Sequence, residues 1–374
     1  MNRGKVLSIL VLVTIFYSFG CSERSDKAAW QMQQPVMEQL IPDKLLSQAD
    51  LELLWQREMP LKKNEKLERL QLIDDRLYAL SSDNYLVSLD TDNGKIIISQ
   101  KLEQAGLPVF ELRHYNDELY SIIANRLVEL NKNSGELIAK RNFDFGVTCP
   151  AVRNSRFFYI AGSDRRLHAF RASNKVKVFD AAASSDSGIT SIIADENFVI
   201  FSTEAGDLIC LTPDRPAQLW KPFKAADGII TPLVRDGATV FFASRDTCVY
   251  SIDIPEGTLN WKYQGGAVYD RGPVVKGDVV YQYAGRDGLA AIRRADSRLL
   301  WQLPEAVAFL AADNQKAFLW TRSKELAVMD NTDAKLLCSV DFSAVSCFAT
   351  NTSDSRIYVA DERGRIACLK PLKY

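Results

Sequence analysis

The chain has 374 residues, 47% of them apolar and 25% charged, with 19 Gly and 13 Pro, which excludes collagen-like, mostly disordered and multi-spanning membrane classes. Lys and Arg total 46 against 47 Asp and Glu, a net charge of −1, so there is no basic excess to neutralise nucleic-acid phosphates. Only two histidines, His114 and His168, are present for zinc or general-base chemistry, and the composition leans away from enzymes.

The first predicted element is an export signal. Arg3 and Lys5 precede a mainly apolar run over residues 6–16, which falls short of the roughly 20 residues that span a bilayer as a helix. Ser18-Phe19-Gly20-Cys21 then resembles the lipobox of bacterial lipoproteins, with Ser18 where a leucine is usual. That resemblance implies a signal peptide over residues 1–20 and Cys21 as the lipidated first residue of the mature chain. Ser22, rather than Asp, implies sorting to the outer membrane, facing the periplasm. A cysteine carrying more than one acyl chain anchors stably. Residues 21–49 are polar, hold Pro35 and Pro42, and are expected to form a tether with a short helical piece.

Repeats fill residues 50–374. Eight tetrads share apolar first and fourth positions: LVSL (86–89), LVEL (127–130), LHAF (167–170), LICL (208–211), VYSI (249–252), LAAI (289–292), LAVM (326–329) and IACL (366–369). Their last residues lie 41, 40, 41, 41, 40, 37 and 40 apart, a period that signals a repeat architecture. Side chains alternate along a strand, so the first and fourth positions bury opposite faces. Each tetrad is therefore expected to sit in a sheet packed between two others. Aromatic and β-branched strands such as Phe157-Phe158-Tyr159 and Val240-Phe241-Phe242 precede the tetrads. Pro150, Pro232 and Pro273 mark a still earlier, innermost strand. Gly94, Gly135 and Gly257 mark turns into a fourth, which carries Ile98, Ala139, Phe179, Trp220, Trp261, Trp301 and Cys338 nine residues after the tetrads. Four strands in about 40 residues make a propeller blade.

The eighth repeat ends before a fourth strand of its own. Leu51-Glu52-Leu53-Leu54-Trp55-Gln56, with no first three strands before it, matches Leu259-Asn260-Trp261-Lys262. The expectation is one all-β domain, a single eight-bladed β-propeller whose N-terminal strand closes the ring and removes open edges.

The pattern from Leu77 to Gly94 and from Val240 to Trp261 resembles the PQQ-like repeat. With the lipobox, it resembles the BamB family of outer-membrane protein assembly lipoproteins. The resemblance implies a non-catalytic scaffold, a monomeric ring that binds the outer-membrane assembly machinery or other envelope proteins. In that family the partner-binding segment joins the third and fourth blades. Here residues 180–188 lack the family's Leu and Arg, so no partner-binding residue is carried over. The alternative is a propeller lipoprotein that binds a small ligand or cell-wall glycan. The least favoured reading is a quinoprotein dehydrogenase: the chain has no Cys-Cys pair and no insertion to enclose a cofactor. No residue is assigned to catalysis, cofactor binding or metal ligation. Asp270-Arg271-Gly272-Pro273 is placed at the channel mouth as an ion pair or solvated loop. Cys149, Cys210, Cys248, Cys338, Cys347 and Cys368 show no CxxC spacing and read as buried thiols.

Replacing Cys21 with Ala is expected to abolish labelling by a palmitate analogue and leave uncleaved or released protein; unchanged labelling would exclude lipidation at this residue.

Overall fold

In the computed structural model, residues 38–313 and 315–372 are described, and Gln39–Tyr374 forms one compact unit. Cys21 and the predicted signal lie outside the described residues. Eight four-stranded antiparallel sheets follow one another along the chain as the blades of a propeller. Blade 1 is Leu67–Ile73, Arg76–Ser81, Tyr85–Asp90 and Ile96–Lys101, running from the innermost strand outward. Blades 2 to 7 repeat this order, and their third strands contain the tetrads, such as Arg126–Asn131 in blade 2 and Arg166–Arg171 in blade 3.

Blade 8 is assembled from both ends of the chain. Cys347–Ala349, Ile357–Ala360 and Arg365–Pro371 supply three strands, and Leu51–Glu58 adds the fourth, pairing Leu51 with Pro371 and Glu58 with Arg365. The ring thus closes through the N-terminal strand, as the missing outer strand of the last repeat required. The folded unit begins at Gln39, earlier than the boundary at residue 50. A short helix, Asp43–Gln48, buries Leu46 beside Leu40 and Ile41 against blades 7 and 8. These three apolar residues are enough to dock a segment whose overall polarity suggested a tether.

The apolar interior is divided into eight layers, one at each seam between neighbouring blades. The tetrads explain why. Leu167 packs into the seam between blades 3 and 4, while Phe170 packs into the seam between blades 2 and 3. Leu208 and Leu211 divide in the same way between the two seams of blade 4. At the axis, hydrogen bonds join each blade to the next: Gln71 Nε2 donates to Leu112 O, Asn154 Nδ2 to Asp195 O, and Thr190 Oγ1 to Ile229 O.

At the perimeter, an indole does the joining. Trp55, Trp220 and Trp261 each donate Nε1–H to a backbone carbonyl in the next blade, at Thr91, Ile254 and Arg294, over 2.6–2.9 Å. All three acceptors lie two residues after a tetrad. Trp301 makes the same reach to Asn331 Oδ1 at 3.1 Å. The turn that receives the ring needs glycine twice over. Gly94 has φ +68°, and a Cβ there would stand 2.6 Å from Trp55 Cε3.

Blade 4 departs from the expected pattern. Its fourth strand is only Phe223–Lys224, and Trp220 lies in the irregular stretch before it rather than in a strand. Pro213, Pro216 and Pro222 remove the N–H groups that a continuous strand would donate. Trp220 keeps its hydrogen bond to blade 5 all the same.

Trp55→Ala is expected to lower the unfolding free energy by about 3–5 kcal/mol, the scale of a large-to-small core substitution. Denaturant titration reads the change, and an unaltered midpoint would show that Leu51–Glu58 is not part of the stable ring.

Candidate functional site

Both histidines hydrogen-bond to aspartates. His114 donates or accepts between Tyr78 Oη at 2.7 Å and Asp74 Oδ2 at 3.1 Å, an Asp-His-Tyr chain that the sequence did not reveal because its members come from different strands and turns. Tyr78 is 1% exposed, whereas the Asp74 side chain at the other end is 72% exposed. Burial lowers the His114 pKa, against the raising effect of Asp74, and burial raises that of Tyr78. His168 lies in the third strand of blade 3, with Nε2 3.0 Å from Asp164.

The six cysteines of the propeller are free thiols, and all but Cys338 are buried. Burial pushes Cys149, Cys210 and Cys368 up to about 12 and Cys347 up to about 11, so they stay protonated and pack as small apolar groups. No cluster of three or more His, Cys, Asp or Glu able to hold a metal occurs among the described residues.

The axis carries a cavity of about 530 Å³, bounded by the inner parts of blades 2 to 5. Each of its arginines makes an ion pair, although Arg113 Nε is buried without a partner among the described residues. Arg113 pairs with Glu111 at 3.0 Å, Arg153 pairs with Glu118 and covers the Tyr115 and Phe158 rings, and Arg235 pairs with Asp195 at 2.8 Å. Asp270-Arg271-Gly272-Pro273 precedes the innermost strand of blade 6. There Arg271 donates to Val307 O at 3.0 Å and lies over Tyr283, which ties blade 6 to blade 7.

The segment between blades 3 and 4 is compact. Residues Lys177–Ala182 form the outermost strand of blade 3, with Asp180 held by Arg166 and Lys177. Beyond it, Arg165 binds Asp186 at 2.9 Å and Ser185 Oγ donates to Asp207 Oδ2 at 2.5 Å. The accessible backbone lies elsewhere, along outer strands such as Leu137–Asn142, whose Leu137 and Ile138 are 53% and 50% exposed. Such edges can pair with an extended segment from another chain.

A family model described as outer membrane protein assembly factor BamB matches residues 179–310, the stretch that holds Trp220, Trp261 and Trp301. The BamB structure from Moraxella catarrhalis superposes with a TM-score of 0.66 at 11% identity, covering 86% of this chain and 97% of that one. The computationally designed Ika8 protein also superposes with a TM-score of 0.66, at 13% identity, covering 83% of this chain and 98% of that one. A search of curated protein sequences gives no match. The chain is an eight-bladed β-propeller, similar in fold to BamB and matched in part by the BamB family model.

Alkylation of the native protein followed by peptide mapping is expected to modify Cys338 first. Cys149, Cys210 and Cys368 should react at least about a hundredfold more slowly, because the attacking species is the thiolate. Modification of Cys149 at the Cys338 rate would contradict its burial.

Proposed function

We propose that this propeller is a non-catalytic scaffold of the bacterial envelope that binds protein partners during the assembly of outer-membrane β-barrel proteins. The observation that carries the reading is the match of the BamB family model to residues 179–310. The site geometry supports it: His114 and the channel arginines form pairs within the ring and five of the six propeller thiols are buried, while outer strands present backbone and apolar side chains to the surroundings. In this reading Cys21 carries the lipid, residues 22–38 lead from the membrane to the ring, and the ring faces the periplasm.

Affinity purification of the tagged full chain from detergent-solubilised envelopes tests the proposal. A barrel-assembly component is expected to co-purify, and pyrroloquinoline quinone with calcium is expected to leave the absorption spectrum unchanged. Recovery of glycan fragments alone, or stoichiometric binding of the quinone, would overturn it.

A further inference from the structure

Between blades 2 and 3, on the side away from the axis, lies a cleft of about 420 Å³. Phe143 and Phe145, from the connector after Leu137–Asn142, form one wall, and His168 and Phe170 form the other. The rings are stacked in series. Phe143 lies 5.3 Å from Phe145 at 25°, and Phe145 lies 4.1 Å from His168 at 20°. Arg141 covers Phe170 at 5.0 Å and Phe143 at 6.0 Å.

Two polar groups in this cleft are unsatisfied. His168 is 2% exposed; Nε2 faces Asp164, which accepts, and Nδ1 has no partner among the described residues. Arg141 makes no ion pair or hydrogen bond among the described residues, and its Nε is buried without an acceptor. A buried polar atom left unpaired is costly, so a site that holds two of them favours a ligand that pairs them. With one ring hydrogen, carried by Nε2 and directed at Asp164, Nδ1 is an acceptor, whereas Arg141 can only donate. The matching group offers one donor and one acceptor, which describes an amide.

Charge and ring geometry narrow the choice further. Arg141 and Lys177 face Asp144 and Asp164 around the cleft, so its lining is balanced and does not select an anion. Lys177 is already paired with Asp180 at 2.7 Å. The faces of Phe145 are covered by Phe143 and His168, and Arg141 lies over Phe170, so no free aromatic face is left for a sugar ring to stack on. Ring edges and a neutral polar pair remain. Beside the cleft, Leu137 and Ile138 on the outer strand of blade 2, Val178 on that of blade 3 and Val176 just before it stand 39–54% exposed and give a longer segment an apolar path.

We propose that this cleft binds an extended peptide segment, taking one aromatic or large apolar side chain against the Phe143–Phe145–Phe170 wall and the adjoining amide between Arg141 and His168. The peptide carbonyl accepts from the Arg141 guanidinium. A small outward shift of the Phe145 ring lets the peptide N–H reach His168 Nδ1. Edge pairing along the outer strands supplies the rest of the contact. The proposal gives the scaffold reading a specific contact and rests on that reading for its biological partner, while the cleft chemistry is tested separately.

The two histidines make the test direct. Full-length protein labelled with 15N only at histidine is titrated with N-acetyl-L-phenylalanine methylamide and followed through the ring nitrogens. The His168 Nδ1 signal is expected to move saturably while the His114 signals stay in place, which also reports an intact ring. His168→Phe, followed by calorimetry, and Phe145→Leu are each expected to weaken binding at least about tenfold. No saturable His168 shift at millimolar ligand overturns the proposal, as does equal or tighter binding of benzoate or N-acetylglucosamine. Either result leaves the scaffold reading to its own co-purification test.

Discussion

At four of the eight seams, an indole N–H donated from the outer part of one blade to the turn of the next is the contact that fixes how neighbouring blades sit. Each such bond fixes three things together. It sets how far the outer strand reaches, it places the receiving turn, and it requires that turn to pass close over an aromatic face. The left-handed turn residue follows from this: Gly94 and Gly257 adopt φ +68° and +66° against the rings of Trp55 and Trp220. Inner-strand bonds such as Gln71 to Leu112 hold the axis, and the indoles hold the perimeter. Between them, a blade has little freedom to tilt.

The division of the interior into seam layers has a consequence for function. A blade buries both faces, so its titratable side chains either join a seam or stand at a turn. Glu129, His168 and the buried cysteines take the first course and are desolvated; Asp90, Asp253 and Asp330 take the second and accept backbone N–H groups from their own turns. What remains for recognition is the outer backbone edge, the connectors and the clefts between blades.

The period, the blade count and the closure were legible in the sequence because each is a linear pattern. A tetrad with two apolar ends states that a strand is covered on both faces, and a missing last strand at one end of the chain requires a spare one at the other. Features that depend on local backbone geometry were not legible. A register shift recurs between the third and fourth strands at the third and fourth tetrad positions, as at Ser88/Leu89 and Ser251/Ile252, yet those residues are ordinary strand formers. The docking of residues 40–49 depends on three apolar side chains within a polar stretch. The cleft between blades 2 and 3 escaped notice because its walls come from a connector and a strand more than 20 positions apart, and His168, set within LHAF, reads as a packed strand residue.

That same seam breaks the perimeter rule in an instructive way. The outer strand of blade 2 carries Ala139 where four other blades carry tryptophan, and Ala139 pairs with Glu129, at a tetrad position held by serine or alanine in several blades. Lys175 of blade 3 takes the left-handed turn position with φ +57° and extends into the space that an indole would fill. Its Nζ donates to Glu129 Oε2 at 2.8 Å and to Ala172 O at 2.5 Å, the latter two residues after the tetrad and equivalent to the carbonyls that receive indole N–H elsewhere. The hydrogen bond is kept, while the aromatic packing is exchanged for a buried ion pair. Desolvation raises the Glu129 pKa against the opposing effect of Lys175, and Glu129 Oε1 has no partner among the described residues, so the pair recovers only part of its desolvation cost. An ion pair fixes direction and register more than it adds cohesion. The seam between blades 2 and 3 is thus aligned like the others with less aromatic packing at its rim, and it is beside this seam that the aromatic cleft opens to solvent.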